Sequence, residues 1–175
     1  MLLITQGWNL DEKIDVQYVG TKPAARALLV GLVDAAIVGG YADPIRGKLK
    51  ASPQTIELLA SGKKLYHISW GKETVQKVID KGIPIAQLHL DANTIEGQGN
   101  ALEVFCDPIA WCAYPELDEK LAYEVVKMII QNVEKFKEYH ALGNLMSTKS
   151  LTYGWDPKNI HPGALRAYKE AGIIK

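Results

Sequence analysis

VQYVGTKPAARALLVGLVDAAIVGGY, residues Val16 to Tyr41, is the stretch on which the reading of this chain turns. Val16–Val19 is short and rich in β-favouring residues. Gly20 breaks it, Thr21 is placed to cap a helix, and Pro23 falls in the first helical turn, where its missing N–H costs nothing. Ala24–Val30 is helix-compatible and ends at Gly31, a suitable left-handed C-cap. Ala35–Val38 is wholly apolar, as expected of a strand covered on both faces, and Gly39–Gly40 closes it. The expected unit is βαβ with parallel strands, and the expected class is α/β.

In open α/β sheets, ligands sit beyond the carboxyl ends of the strands, often against free N–H groups at a helix start. Thr21 and Lys22 stand at such a start, and Gly39–Gly40 lets a ligand approach bare backbone. The competing reading is that these glycines only make turns.

Outward from this unit, Ala42–Ala51 reads as a loop. Ser52 and Pro53 open a short helix, with Ile56 and Leu59 on one face and Ser61–Gly62 at its end. Lys64–Ile68 is a further expected strand whose exit, Ser69–Trp70–Gly71, joins the same edge. Lys72–Lys81 carries Val75, Val78 and Ile79 at helical spacing, with Gly82 as cap. Ile83–Leu88, Ala101–Cys106 and Ile109–Ala113 read as extended. Pro115–Leu142 is expected to be the longest helix, with an apolar stripe broad enough to need cover on two sides. A polar loop, Asn144–Asp156, and a last helix, Ala164–Ala171, complete the chain. Met1–Gly7 reads as the tail of a helix capped by Gly7.

The 175 residues include 20 basic and 20 acidic side chains, so the net charge is zero, and no basic patch argues for nucleic acid as a partner. No apolar run reaches the roughly eighteen residues of a membrane span, and the first residues do not read as a signal peptide. Cys106 and Cys112 are six positions apart, roughly 20 Å in an extended segment, too far to pair unless the chain turns at Pro108. No phosphate-cradling glycine motif or nucleophile motif is present, so no catalysis and no cofactor are expected. His89 and Asp91 could share a strand face as metal ligands, but no third ligand is spaced to join them. His161 reads as a residue that caps or packs the last helix.

The ending NIHPGALRAYKEAGI, from Asn159 to Ile173, resembles the C-terminal signature of the TAXI family, the solute receptors of TRAP-type transporters. His161, Pro162, Gly163 and Ala164, with Tyr168, Glu170 and Gly172, carry that likeness. KPAARALLVGLVDAAIVGGYADP, with Gly31, Asp34, Ala35 and Ala36, is similar to the family's helix and following strand. LEVFCDPIAWCAYPELDEKLAYEVVKMI looks like its returning strand and long helix, and His140 stands where the family tends to place a histidine.

The resemblance implies a type II periplasmic-binding-protein fold. Residues 14–95 would form one α/β ligand-binding lobe, and residues 101–175 the crossover strand and C-terminal helices of the other. It implies that the N-terminal part of that other lobe lies outside this sequence, and that the uncovered apolar face invites a homodimer. It further implies an extracytoplasmic location, a TRAP-type permease as partner, and a small organic anion as ligand, a dicarboxylate or an amino acid such as glutamate. The candidate ligand-binding set is Thr21, Lys22, Gly39, Gly40, Tyr41, Ser69 and Trp70. Lys22 and Ser69 also fit a solvated lysine and a turn serine, and Tyr41 and Trp70 fit core or rim aromatics. Two other functions suit parts of this sequence: a cytoplasmic effector-sensing module of the same fold, and a cysteine-dependent hydrolase.

Overall fold

The computed structural model describes residues 7–10 and 12–175; the helix tail expected at Met1–Gly7 lies outside them but for Gly7 itself. Its elements, in order, are α1 (Thr21–Leu29), β1 (Gly40–Asp43), β2 (Lys48–Ala51), α2 (Pro53–Ala60), α3 (Lys72–Ile79), β3 (Ala86–Leu90), β4 (Leu102–Cys106), α4 (Glu119–Asn132), α5 (Phe136–Tyr139) and α6 (Pro162–Glu170). Short 3₁₀ turns at 133–135, 141–145, 148–150 and 157–159 link the last helices. The class is α/β, as expected.

Several helices stand where the sequence places them, for the reasons it gives. Ser52 caps α2 by accepting the Thr55 N–H at 3.3 Å, and Pro53 is the first helical residue. Gly31, Gly62 and Gly82 all adopt positive φ just past helix ends. Val75 and Val78 are fully buried on α3. At α1 the cap is displaced by one residue: Gly20, at φ 75°, holds the N-cap position, and Thr21 is the first residue of the helix. On α2 the buried residues are Thr55 and Leu58, while Ile56 is exposed.

The strands differ from expectation. Among the described residues both ladders are antiparallel, β1 with β2 and β3 with β4, and no parallel βαβ unit forms. Residues 16–19, 35–38 and 64–68 run without ladder partners and leave Tyr18, Ile37, Tyr66 and Ile68 exposed. The expected loop after Tyr41 is instead a hairpin. Its turn forms because the buried Asp43 carboxylate accepts the N–H groups of Ile45 and Arg46 at 2.9 and 3.1 Å, and Gly47 supplies the left-handed residue.

The β3–β4 ladder organises the packing. Leu88, Leu90, Leu102, Val104 and Cys106 face the hairpin residues Ala42 and Leu49. Phe105 belongs to a second cluster, built on Val75, Val78 and Ile85 with Trp70. The expected single helix over 115–142 is two. Asp118 caps α4 by accepting the Leu121 N–H at 2.8 Å, and α4 ends at Asn132, which bonds back to the Met128 carbonyl at 2.8 Å. Its stripe is covered on one side by α6, and Leu121 and Met128 stay exposed.

Candidate functional site

The structure sorts the seven candidate residues into two groups. Thr21 and Lys22 open α1, which packs on α2. The start of α2 in turn holds the Gly39 carbonyl, which accepts the Ser52 N–H at 3.0 Å and the Thr55 hydroxyl at 2.6 Å. Gly39, Gly40 and Tyr41 are therefore anchored beside the α1–α2 pair. Gly39–Gly40 is not the exit of a strand but the entry to β1. Gly40 must be glycine for packing alone, because a Cβ there would overlap the Lys50 carbonyl oxygen and lie 2.9 Å from the Ala51 Cα. Tyr41 and Lys22 project into solvent.

Ser69 and Trp70 form the second group, fixed to the outer edge of β4 by Glu103. The Glu103 carbonyl accepts the N–H groups of Trp70 and Gly71 at 2.9 and 3.2 Å. The Ser69 hydroxyl donates to that carbonyl at 3.1 Å and accepts the Glu103 N–H at 2.9 Å. Its proton is thus committed to the backbone, and Ser69 holds the turn in place. Trp70 stacks on Trp8 at 4.6 Å between ring centroids and meets Phe105 edge-on at 5.9 Å. Its half-buried ring is a wall between core and surface.

Sequence reasoning missed Glu103, whose position in an apolar run gives no local signal that its backbone carries a neighbouring turn. Its carboxylate accepts from His89 Nδ1 at 2.6 Å and lies 3.5 Å from Lys72 Nζ, while His89 Nε2 stands 3.3 Å from Asp91. The hydrogen bond to Glu103 raises the His89 pKa above its ordinary 6.5, and Asp91 adds to the effect. With the folded value raised, the pairing is complete below pH 6.5 and is lost as the pH climbs through the higher folded value. An NMR titration is expected to place the His89 midpoint above 6.5, and Glu103→Gln is expected to lower it. A midpoint at or below 6.5 in the unmodified protein would contradict this arrangement.

Two surface hollows lie elsewhere. One, of about 560 Å³, is lined by Cys112, Ala113, Tyr114, Glu116 and Leu117. The other, of about 280 Å³, lies between α4 and α6 around Tyr123, Lys127 and Glu170. Neither is lined by a candidate residue, and the larger is an open apolar surface without converging polar groups, unlike a ligand site. Cys106 and Cys112 are both free. Burial, then the Asp107 charge, pushes the Cys106 thiol up, away from the thiolate a nucleophile needs. His161 caps α6 through Nδ1, which accepts the Gly163 N–H at 3.3 Å, and its Nε2 lies 3.1 Å from the Leu117 carbonyl.

Among the described residues, no helix is long and apolar enough to cross a membrane. No curated protein matches the chain. The sequence profile of the NMT1-like family matches residues 2–172, nearly its whole length. Its α/β make-up and that match agree: the chain belongs to the NMT1-like family, a periplasmic-binding-protein-like family of solute-binding proteins.

Proposed function

We propose that this chain is an extracytoplasmic solute-binding protein of the TAXI type, which captures a small organic anion and hands it to a TRAP-type permease. One observation carries the reading. The helices α2, α4 and α6 are closed by side-chain caps from Ser52, Asp118 and His161. In contrast, α1 and α3 begin at Gly20 and Gly71, both at positive φ and without a side-chain cap. The first starts at Thr21 and Lys22, whose ammonium stands in solvent, and the second just after Ser69 and Trp70, where Lys72 lies beside the Glu103 carboxylate. An uncapped helix start presents N–H groups and a partial positive charge, and a lysine adds a full one, which together suit a carboxylate.

In this reading Thr21, Lys22, Gly39 and Gly40 meet the anion and Tyr41 walls it, while Ser69 and Trp70 shape the turn before α3. The protein binds without catalysis; the raised Cys106 thiol supports that over a cysteine hydrolase. A thermal-shift screen of dicarboxylates and acidic amino acids tests the proposal. At least one is expected to raise the melting temperature, and Lys22→Met is expected to abolish the shift. A screen in which only cationic or neutral solutes stabilise the protein would defeat it.

The exposed apolar surface favours a homodimer as part of the same proposal. Leu121 and Met128 on α4 stand exposed, and a second copy of the chain would cover them. A light-scattering mass of one protomer would end this reading.

A further inference from the structure

The β1–β2 hairpin packs against the 3₁₀ turn at 141–145, about a hundred residues further on, and the Arg46 side chain bonds the two together. Gly40 and Tyr41 begin β1, and β1 ends on Asp43, which is fully buried. Besides the two turn N–H groups, the Asp43 carboxylate accepts Arg46 Nε. The guanidinium held there directs Nη2 outward to the carbonyls of Asn144 and Met146, at 2.9 and 3.1 Å. Those carbonyls lie at the end of the 3₁₀ turn 141–145, where backbone acceptors lack helical partners. The same segment is fixed again further along. Tyr153 donates its hydroxyl to the Gln87 carbonyl on β3 at 2.6 Å, and Gly154 sits so close to Pro108 and Ala86 that a Cβ would lie 2.6 and 2.9 Å from them. Residues 141–154 thus form a strap across the hairpin and the β3–β4 ladder.

Only arginine suits this position. Its planar fork bonds a carboxylate on one edge and backbone carbonyls on another, whereas a lysine offers one compact charge. We propose that Arg46 is a positioning residue that couples the β1–β2 hairpin to the strap at 141–146, so that order in one sets order in the other. This coupling rests on geometry alone. Its consequence, that a ligand at Gly39–Tyr41 is felt in the strap between α4 and α6, rests on the binding reading above.

Amide hydrogen exchange on the full chain without ligand tests the coupling, so its failure is separate from any failure to bind an anion. Arg46→Gln is expected to speed exchange about tenfold in both 141–146 and the β1–β2 ladder, with α3 unchanged. Gly143→Ala perturbs the strap from its own side, because a Cβ there would overlap the backbone of Phe136 and Lys137. That variant is expected to loosen the hairpin when Arg46 is present and to add nothing there when Arg46→Gln is also present. Arg46→Lys keeps the charge but loses the fork. It is expected to behave like Arg46→Gln, and it stands in should that variant not fold. Faster exchange in the strap with an unchanged hairpin, or a Gly143→Ala effect on the hairpin that is the same with and without Arg46, would overturn the proposal.

Discussion

Gly163→Ala is expected to destabilise the protein by about 3 kcal/mol, although it adds a single methyl group. Gly163 is buried in the first turn of α6, directly against the first turn of α4. A Cβ at this position would overlap the Glu119 carbonyl oxygen and lie 3.1 Å from the Ala122 Cβ. Neither obstacle is the flexible end of a side chain, so the two helix starts must move apart. Ala122 and Ala167, both buried, show the same demand for small residues where α4 and α6 meet. Separating the helices would also disturb His161, which caps α6 and reaches the Leu117 carbonyl. Urea denaturation measures the effect as a midpoint lowered by about 1.5 M, for a slope of about 2 kcal/mol per molar. A loss below about 0.5 kcal/mol would show that the two helices do not pack this closely.

The second large effect is expected at Leu90. Leu90→Ala should cost about 3–4 kcal/mol, the sum of lost burial and a cavity that rigid neighbours do not fill. Leu90 is 2% exposed, pairs across the ladder with Leu102, and packs in the cluster that joins the hairpin to β3 and β4. The loss should therefore spread into β1 and β2. Met128→Ala on α4 provides the comparison: that side chain is 58% exposed, and its removal should cost well under about 1 kcal/mol. Equal effects from the two substitutions, in the same denaturation experiment, would show that the β3–β4 ladder is not the structural centre.

What could be read from the sequence was local. Ser52–Pro53 opens α2, Val75 and Val78 are buried on α3, and Gly31, Gly62 and Gly82 follow helix ends, because each of these depends on residues within a few positions. The β3–β4 pair also follows its apolar runs. Residues 16–19, 35–38 and 64–68 have the composition of strands yet run unladdered, since a strand depends on a partner for its N–H and C=O groups and composition does not name one. The hairpin at 40–51 was hidden for a different reason. Its turn is set by one buried carboxylate, Asp43, and a charged residue in a polar stretch reads as solvated.

The candidate site divides the same way. Thr21 and Lys22 stand at the start of α1, and Ser69 and Trp70 just before α3, as the glycines and the helical spacing of the sequence place them. Ser69 reads either as a ligand hydroxyl or as a turn serine, and it holds the turn, through a partner the sequence does not name, the backbone of Glu103, thirty-four residues away. Contacts over that distance, like that of Arg46 with Asn144 and Met146, leave no trace in spacing or periodicity.

Isothermal titration calorimetry with glutamate, 2-oxoglutarate and succinate tests the central claim most directly. At least one of them is expected to give saturable heat with one site per protomer. Lys22→Met and Tyr41→Ala are each expected to weaken that binding about tenfold or more, as the loss of a charged contact or a ligand wall should. No heat with any of the three, or binding that both variants leave intact, would contradict the assignment of an anion site to the start of α1 and the entry to β1 at Gly39–Tyr41.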